Sequence, residues 1–563
     1  MPEVVYAPGP LPPETDVLIA GAGPVGAVLA LDLARRGVRT VVAEQYLNVP
    51  EHNVRAQNLS MHSMERLRAL GVAERVRAHR SSVPQEWFQE MAFRTSIAGR
   101  ALARLARPGE LGGWREVAVE NHHIQPQYLT TRALREAAAE AGATIVSGVQ
   151  LTDHDDSGEA VRATFRDARD GRRHTVRARY LVGCDGGASA VRERAGITRD
   201  VSQQAGHFAN VHIRVPELFE RLGTAPAAIN FVVNERAQSI FLAYEADRWR
   251  FGIGPFASEA EIDERAVRDA IDAVLGADVG ATIESYSSYA ARCEIARGYR
   301  RGRVLLAGDA AHLFPPNMGQ NMNVGIGDAA NLAWKLTAVL EGWGGEALLD
   351  SYDVERRPIA WQTGLRSLET VVEQHEALAE IIARRRDDLA DPGSPAADVA
   401  LAQEVAATFL PRWRSEGVVL DQRYDGSPIV AADGTVAPVW SSGDYAPLAR
   451  PGHRAPHAEV DGVPLYDLLD AAGPGYALLR LGGDGAALDA DGADADADDA
   501  TGLLEAARAQ RLPLAELRLS DPALRELYGA PMVLVRPDRH VAWRGTAAPP
   551  DPDALIATLR GAA

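Results

Sequence analysis

The sequence predicts an α/β fold: a parallel, nucleotide-binding core split by an antiparallel insertion and followed by a separate C-terminal unit. Three observations predict it. A short apolar strand, Asp16 to Ala20, runs straight into Gly21-Ala22-Gly23-Pro24-Val25-Gly26 and then a helix. From His207 onward the chain turns to the period-two alternation of half-buried strands. A second apolar strand, Val304 to Ala307, breaks at Gly308-Asp309 and leads through Pro315-Pro316 into a long apolar helix.

The first element carries the strongest local signal. Gly21 permits the tight turn, Gly23 lets the backbone approach a pyrophosphate, and Gly26 lets helix and strand pack closely. The helix runs to about Arg36, and a second strand, Thr40 to Ala43, ends in Glu44, 18 residues beyond Gly26. An acid there accepts hydrogen bonds from a ribose and disfavours a 2′-phosphate. Glycines, helix, strand and acid in this order make a Rossmann-type dinucleotide fingerprint, where a bare GxGxxG would be weak evidence.

Further along, Val54-Arg55 places an arginine beside the expected phosphate site; the alternative is a solvated loop charge. Gln127 precedes a helix from Thr130 to Ala141, where it either bonds a cofactor or caps the helix. Ala143 to Val149 reads as a strand, and Val161 to Phe165 with Thr175 to Ala178 as a hairpin. Tyr180 to Cys184 reads as a further buried strand leading into Asp185-Gly186-Gly187-Ala188-Ser189-Ala190-Val191-Arg192, with Cys184 a small packing residue. The alternating strands are Phe208 to Val215, Ala228 to Val233, Ser239 to Tyr244, Trp249 to Ile253 and Ile283 to Tyr289, with a helix from Val267 to Leu275.

In the central stretch, Gly308-Asp309, the proline pair, Gly319 and the helix from near Val324 suit a large electron-rich cofactor. An acid at a strand end accepts hydrogen bonds from a polyol, and a helix N-terminus offers free N–H groups. Asp328 is expected in the first helical turn, with Lys335 later and Gly342, Gly344 and Gly345 ending the helix. Tyr352 to Arg386 reads helical with a break at Pro358. Leu420 to Val430 and Pro438 to Pro451 read as loop. From Pro451 the chain forms a unit with a strand at Tyr476 to Leu481, helices near Leu503 and Leu524, and a hairpin from Met532 to Trp543. The Asp/Ala/Gly run from Asp484 to Asp499 reads as an acidic loop.

Composition narrows the partners. At 563 residues the chain is too long for one core. A formal net charge of −18 argues against nucleic acid or an anionic membrane surface. Two cysteines, Cys184 and Cys293, are too few for a disulfide framework or metal cluster and fit a reducing, cytoplasmic compartment. No metal is expected. The segment Met1 to Glu14 is Pro-rich, lacks a basic-then-apolar pattern and reads as a loose tail, and Val17 to Ala34 reads as too interrupted to span a membrane.

Together, in this order, the three motifs resemble those of the single-component FAD-dependent aromatic hydroxylases, flavoprotein monooxygenases related to para-hydroxybenzoate hydroxylase. The polyketide and phenol hydroxylase subgroup with an extra C-terminal domain is the nearest in pattern. The resemblance implies an FAD-binding domain over residues 1–200 and 290–400, an inserted antiparallel-sheet substrate domain over 201–289, a linker over 401–450 and a thioredoxin-like domain over 451–563. It implies cofactor contacts from Gly21, Gly23, Pro24, Val25, Gly26, Glu44, Arg55, Gln127, Asp185, Gly186, Asp309, Pro316, Gly319, Met322 and Asn323. Gly183, Ser189 and Arg192 complete the second motif. Pro315, Pro316, Met322 and Asn323 would face the flavin, and Pro531 falls where the thioredoxin fold has its cis-proline. No cysteine follows the Tyr476 strand, which excludes a dithiol role. The run Asn317-Met318-Gly319-Gln320-Asn321-Met322-Asn323 replaces the family's Gly-rich turn, with asparagine expected to tolerate left-handed backbone.

Activity follows from the same resemblance: NAD(P)H reduces the flavin, O₂ gives a C4a-hydroperoxide, and a phenolic or polyketide-type ring is hydroxylated by a monomer or homodimer. Only one dinucleotide fingerprint is present, so the nicotinamide has no domain of its own. Phe231, Tyr244, Phe251 and Met318 are the expected substrate lining. His207, His212, Tyr244 and Tyr289 do not single out a general base. Baeyer–Villiger oxygenation on the same scaffold and a non-catalytic flavin-binding protein are the alternatives. A halogenase is disfavoured because no Trp-x-Trp-x-Ile-Pro stretch exists.

Overall fold

The strand Glu14–Ala20 lies inside a sheet whose order is Arg300–Arg301, Val304–Leu306, Arg173–Gly183, Glu14–Ala20, Thr40–Glu44, Thr144–Ser147. All its neighbours pair in parallel except Arg300–Arg301. The computed structural model describes residues 11–49, 58–106, 114–390, 394–482 and 500–562. The parallel strands are apolar and buried where they lie inside the sheet (Val17 to Ala20, Val41 to Ala43, Tyr180 to Val182, Val304 to Leu306), as a parallel sheet requires. Their carboxyl ends (Ala20, Glu44, Gly183, Leu306) gather at one edge, the usual place for a ligand in such a sheet. The hairpin and the buried strand expected at Tyr180 are one continuous strand, Arg173–Gly183: its first half pairs with Val161–Asp167, its second with Glu14–Ala20.

The helix Pro24–Arg35 packs against the long helix Asn321–Glu341, and glycine sets how close they come. A Cβ on Gly325 would sit 2.6 Å from Val25 Cγ2 and 3.0 Å from Gly308 Cα. The long helix thus begins three residues before the expected Val324, which places Asp328 beyond the first turn. Buried there, Asp328 accepts from the Gly308 amide at 3.1 Å and pairs with His312 Nε2 and Arg356 Nε at 2.8 Å each. Its role is to hold the Gly308 turn from inside. Gly319 is the one residue of the 317–323 run with positive φ (+66°), so the asparagines do not carry the turn.

A seven-stranded sheet stands above the carboxyl edge, in the order Thr282–Ala290, His207–Arg214, Arg248–Phe256, Gln238–Glu245, Ile229–Val233, Glu90–Arg94, Ala101–Ala106. The last two strands come from the part of the chain assigned by sequence to the FAD domain; the Ile229 strand recruits Glu90–Arg94 in parallel. One face packs Trp249, Phe251, Phe241 and Val211 under the helix Glu264–Leu275. The other faces the main domain.

The helix Ala347–Arg384 is continuous through Pro358. The region expected as linker holds a further helix, Pro395–Trp413, whose Leu401, Val405 and Phe409 pack on Phe93 and Phe231 of the sheet. Beyond it a short helix, Glu416–Leu420, precedes irregular chain up to the C-terminal unit. That unit's sheet runs Leu514–Leu519, Tyr476–Leu481, Met532–Val535, Val541–Gly545, the first pair parallel and the rest antiparallel, flanked by helices Thr501–Ala509, Pro522–Tyr528 and Pro552–Leu559. This is the thioredoxin-like arrangement, but the bond before Pro531 is not cis; among the described residues the cis peptide is Gly254–Pro255. The Asp484 to Asp499 run lies outside the described residues, apart from its neighbours.

Candidate active site

A cavity of about 1560 Å³ runs from the fingerprint turn, past the start of the long helix, to the facing sheet. Single-ligand pockets span roughly 300–1,000 Å³, so this one has room for a dinucleotide and a second molecule.

At its first end Gly21 has φ +99°, and a Cβ there would lie 2.3 Å from the Cys184 carbonyl oxygen. A Cβ on Gly23 would meet nothing within 4 Å, so the backbone is open to the cavity at the start of a helix whose amides no side chain caps. That is the geometry a pyrophosphate fits. Gly26 does not line the cavity; its Cβ would fall 2.1 Å from the Gly21 carbonyl oxygen, so its role is close packing.

Glu44 faces the cavity with its carboxylate already oriented. It accepts from the Ala22 amide (2.8 Å), the Tyr46 amide (2.9 Å) and Arg135 Nη2 (3.0 Å), and Arg135 Nε donates to the Ala22 carbonyl at 2.6 Å. Sequence reasoning missed Arg135. The signal was there: Gln127, Thr131 and Arg135 recur at i, i+4 and i+8 on helix Gln127–Glu140, and all three line the cavity. Arg55 lies outside the described residues.

In the middle, Asp185, Gly186 and Asp309 line the wall. The Asp185 carboxylate is spent on its own turn, accepting from Ser189 Oγ and, at 3.1 Å, from the Val191 amide; burial nonetheless raises its pKa. Arg199 Nη2 donates to the carbonyls of Gly187 (2.8 Å) and Asp309 (3.0 Å), bracing the two turns together.

The long helix opens on the cavity with no side-chain cap, so the amides of its first turn point outward without intrahelical partners. Pro316, Met318, Gly319, Asn321 and Met322 line this part. Pro315 and Asn323 stand behind it. Asn323 is buried, accepting from the Ser60 amide (2.9 Å) and Ser63 Oγ (2.7 Å) and donating to the Asn58 and Gly319 carbonyls. It splints the turn and does not face the ligand space.

The far wall is the sheet: Asn210, Ile229, Phe231, Ile240, Leu242 and Arg250, with Ser287 and Tyr289 at the edge. Phe231 lines the cavity, its ring stacked 4.7 Å from Phe93. Phe251 does not, because period two turns it to the opposite face from Arg250. Tyr244 is also off the wall: it packs with Tyr128 and Leu129 and donates to Glu284 Oε2 at 3.0 Å. His212 is buried against Tyr244, 5.6 Å between rings, and burial pushes its pKa down to about 4, so it stays neutral.

With this geometry in hand, similarity to known proteins decides the family. Residues 14–367 match the model of an FAD binding domain, and residues 448–562 that of an aromatic-ring hydroxylase C-terminal domain. The chain belongs to the FAD-dependent aromatic-ring hydroxylases. This hydroxylase is 29% identical to 2,4-dichlorophenol 6-monooxygenase of Cupriavidus pinatubonensis, over 96% of this chain and 94% of that one. It is 30% identical to a putative polyketide hydroxylase of Streptomyces halstedii (94% and 93%). The rebeccamycin biosynthetic enzyme RebC, solved with reduced flavin, superposes with a TM-score of 0.81 at 31% identity (98% and 99%). The hydroxylase is therefore an FAD-dependent aromatic monooxygenase, with NAD(P)H and O₂ as the co-substrates typical of its family. Among its described residues no helix is long and apolar enough to cross a membrane.

Proposed function

We propose that the hydroxylase oxygenates a multi-ring, polyketide-type phenol bound between the flavin ring and the inserted sheet. The observation that carries this is the size and continuity of the cavity: one space of about 1560 Å³ joins the fingerprint turn to a sheet wall carrying Ile229, Phe231, Ile240 and Leu242. The likeness to a polyketide hydroxylase supports it.

In this reading Gly21, Gly23, Pro24 and Val25 hold the pyrophosphate, and Glu44, braced by Arg135, accepts from the adenosine ribose. Gln127 and Asp309 bond the ribityl chain beside the Asp185–Gly186 turn. When bound, FAD supplies electron transfer from NAD(P)H to O₂ and the oxygen atom that is transferred. The chain supplies the surroundings. The free amides at Asn321 and Met322 stabilise negative charge at the ring edge. Pro316 and Gly319 form the wall beside it, with Gly26, Pro315 and Asn323 as supports. Phe231, Ile240, Leu242 and Met318 keep water out and align the substrate ring. Cys184 and Cys293 are both free thiols, in keeping with a cytoplasmic enzyme, working as monomer or homodimer.

The test is NAD(P)H consumption by the FAD-loaded enzyme. Fused two- to four-ring phenols are expected to accelerate it and to gain one oxygen atom by mass, with the ring intact by NMR. Acceleration by monocyclic phenols alone would overturn the multi-ring assignment.

A further inference from the structure

No described residue of the C-terminal unit lines the cavity, yet a chain of buried hydrogen bonds joins the two. Its centre is Arg356, on the helix Ala347–Arg384. Nε donates to Asp328 Oδ1 at 2.8 Å and Nη2 to the Val324 carbonyl at 3.0 Å, both on the long helix. Nη1 donates to Gln422 Oε1 at 2.7 Å and to the Tyr424 hydroxyl at 3.2 Å, on the irregular chain that leads into the C-terminal unit. His540 of that unit holds the same stretch. Its Nε2 lies 3.1 Å from the Gln422 carbonyl oxygen, and its ring stacks on Tyr424 with centroids 3.8 Å apart.

At its other end the chain of bonds reaches the cavity wall. Asp328 Oδ2 accepts from the Gly308 amide at 3.1 Å, and the next residue, Asp309, lines the cavity. Tyr352, one helical turn before Arg356, donates to the Leu306 carbonyl at 2.8 Å, just ahead of the same turn. Val324 belongs to the first turn of the long helix, the turn that opens on the cavity. Glycine makes room for the guanidinium: a Cβ on Gly327 would fall 2.6 Å from Arg356 Nη2. Arginine suits this place because its rigid, planar fork of N–H donors reaches two segments at once, where a lysine is a single point charge.

Resting on the placement of FAD at the Gly308–Asp309 turn given above, we infer that Arg356 is a positioning residue through which the C-terminal unit sets the geometry of the flavin site. Gln422, Tyr424 and His540 fix one side of the guanidinium; Asp328 and Val324 take the other and carry it to the Gly308 turn and the helix start. All six residues are buried, and buried hydrogen bonds in such a chain act together when one is removed. The unit thus acts on the flavin from behind the site.

The experiment dilutes FAD-loaded enzyme and follows flavin release by the recovery of flavin fluorescence, after recording the visible circular dichroism of the bound flavin. Gln422→Met removes the acceptor of the 2.7 Å bond and keeps the length of the side chain. It is expected to speed release about threefold or more and to alter the visible dichroism. Tyr424→Phe, which loses only the longer bond, should do the same to a smaller degree, and it carries the test should Gln422→Met fail to fold. Arg68→Gln is the control. It breaks a pair with Asp467 across the same junction but outside this chain of bonds, and should lower Tm with release and dichroism unchanged. Parent-like release and dichroism in both Gln422→Met and Tyr424→Phe overturn the inference. So does an Arg68→Gln variant that releases flavin as fast as they do, since the effect is then a general loosening of the junction. If Asp309→Ala releases flavin no faster than the parent, the placement of FAD at this turn fails and the inference falls with it.

Discussion

Between the C-terminal unit and the FAD domain, Arg536 meets Glu355 with two hydrogen bonds, at 2.6 and 2.8 Å, and Asp538 at 2.7 Å, all three side chains no more than 1% exposed. Lys335 and Asn331 bond the same Glu355 at 2.6 and 2.7 Å. Next to them Arg356 reaches Asp328, and Arg454 grips Glu65 with two bonds. At the far end of the cavity the arginines are paired too, but in reach of water: Arg292 meets Glu294 at 2.7 Å and Arg414 meets Asp444 at 3.2 Å, with Arg292 39% and Arg414 68% exposed. The difference teaches what each region is for. Pairs sealed away from water tie domains together, whereas pairs open to water at the cavity end contribute little to the fold.

Removing a partner at the junction should therefore cost folding, and this is the largest effect expected. Glu355→Gln leaves Arg536 and Lys335 buried without their shared counter-charge, at a cost of about 3–5 kcal/mol. Denaturant unfolding of the FAD-loaded enzyme checks it, and an unchanged midpoint would break the contrast.

Acid should reach the same site a little more gently. Burial pushes the Glu355 carboxyl up, but the charges of Arg536 and Lys335 outweigh it and hold its pKa down to about 2. The unfolded chain binds that proton near pH 4.3. Stability from this group is thus present above about pH 4.3 and is lost as pH falls toward 2, at most about 3 kcal/mol. Unfolding midpoints measured across that window should fall for the parent and stay flatter for Glu355→Gln.

On the cavity side the loss should appear in binding. Asp309→Ala is expected to weaken FAD by about 1.5–3 kcal/mol, the worth of a charged hydrogen bond, with the flavin-free protein unfolding as before. A fully flavin-loaded variant would refute the role given to Asp309. Smallest of all is Arg414→Gln: its pair with Asp444 is exposed on both sides, at 68% and 73%. Less than about 1 kcal/mol should change in stability, with the flavin spectrum unaltered.

Legibility in the sequence followed the range of the interaction. The fingerprint was readable because Gly21, Gly23 and Gly26 act within one turn, and Glu44 ends the next strand. The Gly308-Asp309 break and Gly319 were readable for the same reason. Arg135 could have been found from the i, i+4, i+8 stripe it shares with Gln127. Asn323 and Phe251 were placed wrongly because motif position says nothing about which way a side chain turns. Asn323 is claimed by Ser60 and Ser63, some 260 residues away in sequence, and Phe251 by the helix Glu264–Leu275.

From residue order alone came the nucleotide-binding core, the inserted sheet, the C-terminal unit and the glycine turn that opens on the cavity, since each depends on neighbours within a turn or a strand. The recruitment of Glu90–Arg94 into the inserted sheet beside Ile229–Val233, and the fusion of the C-terminal unit through Glu355 and Arg536, needed the folded chain. Those contacts join segments separated by more than a hundred residues, and no local period encodes which distant partner a buried charge or an edge strand will meet.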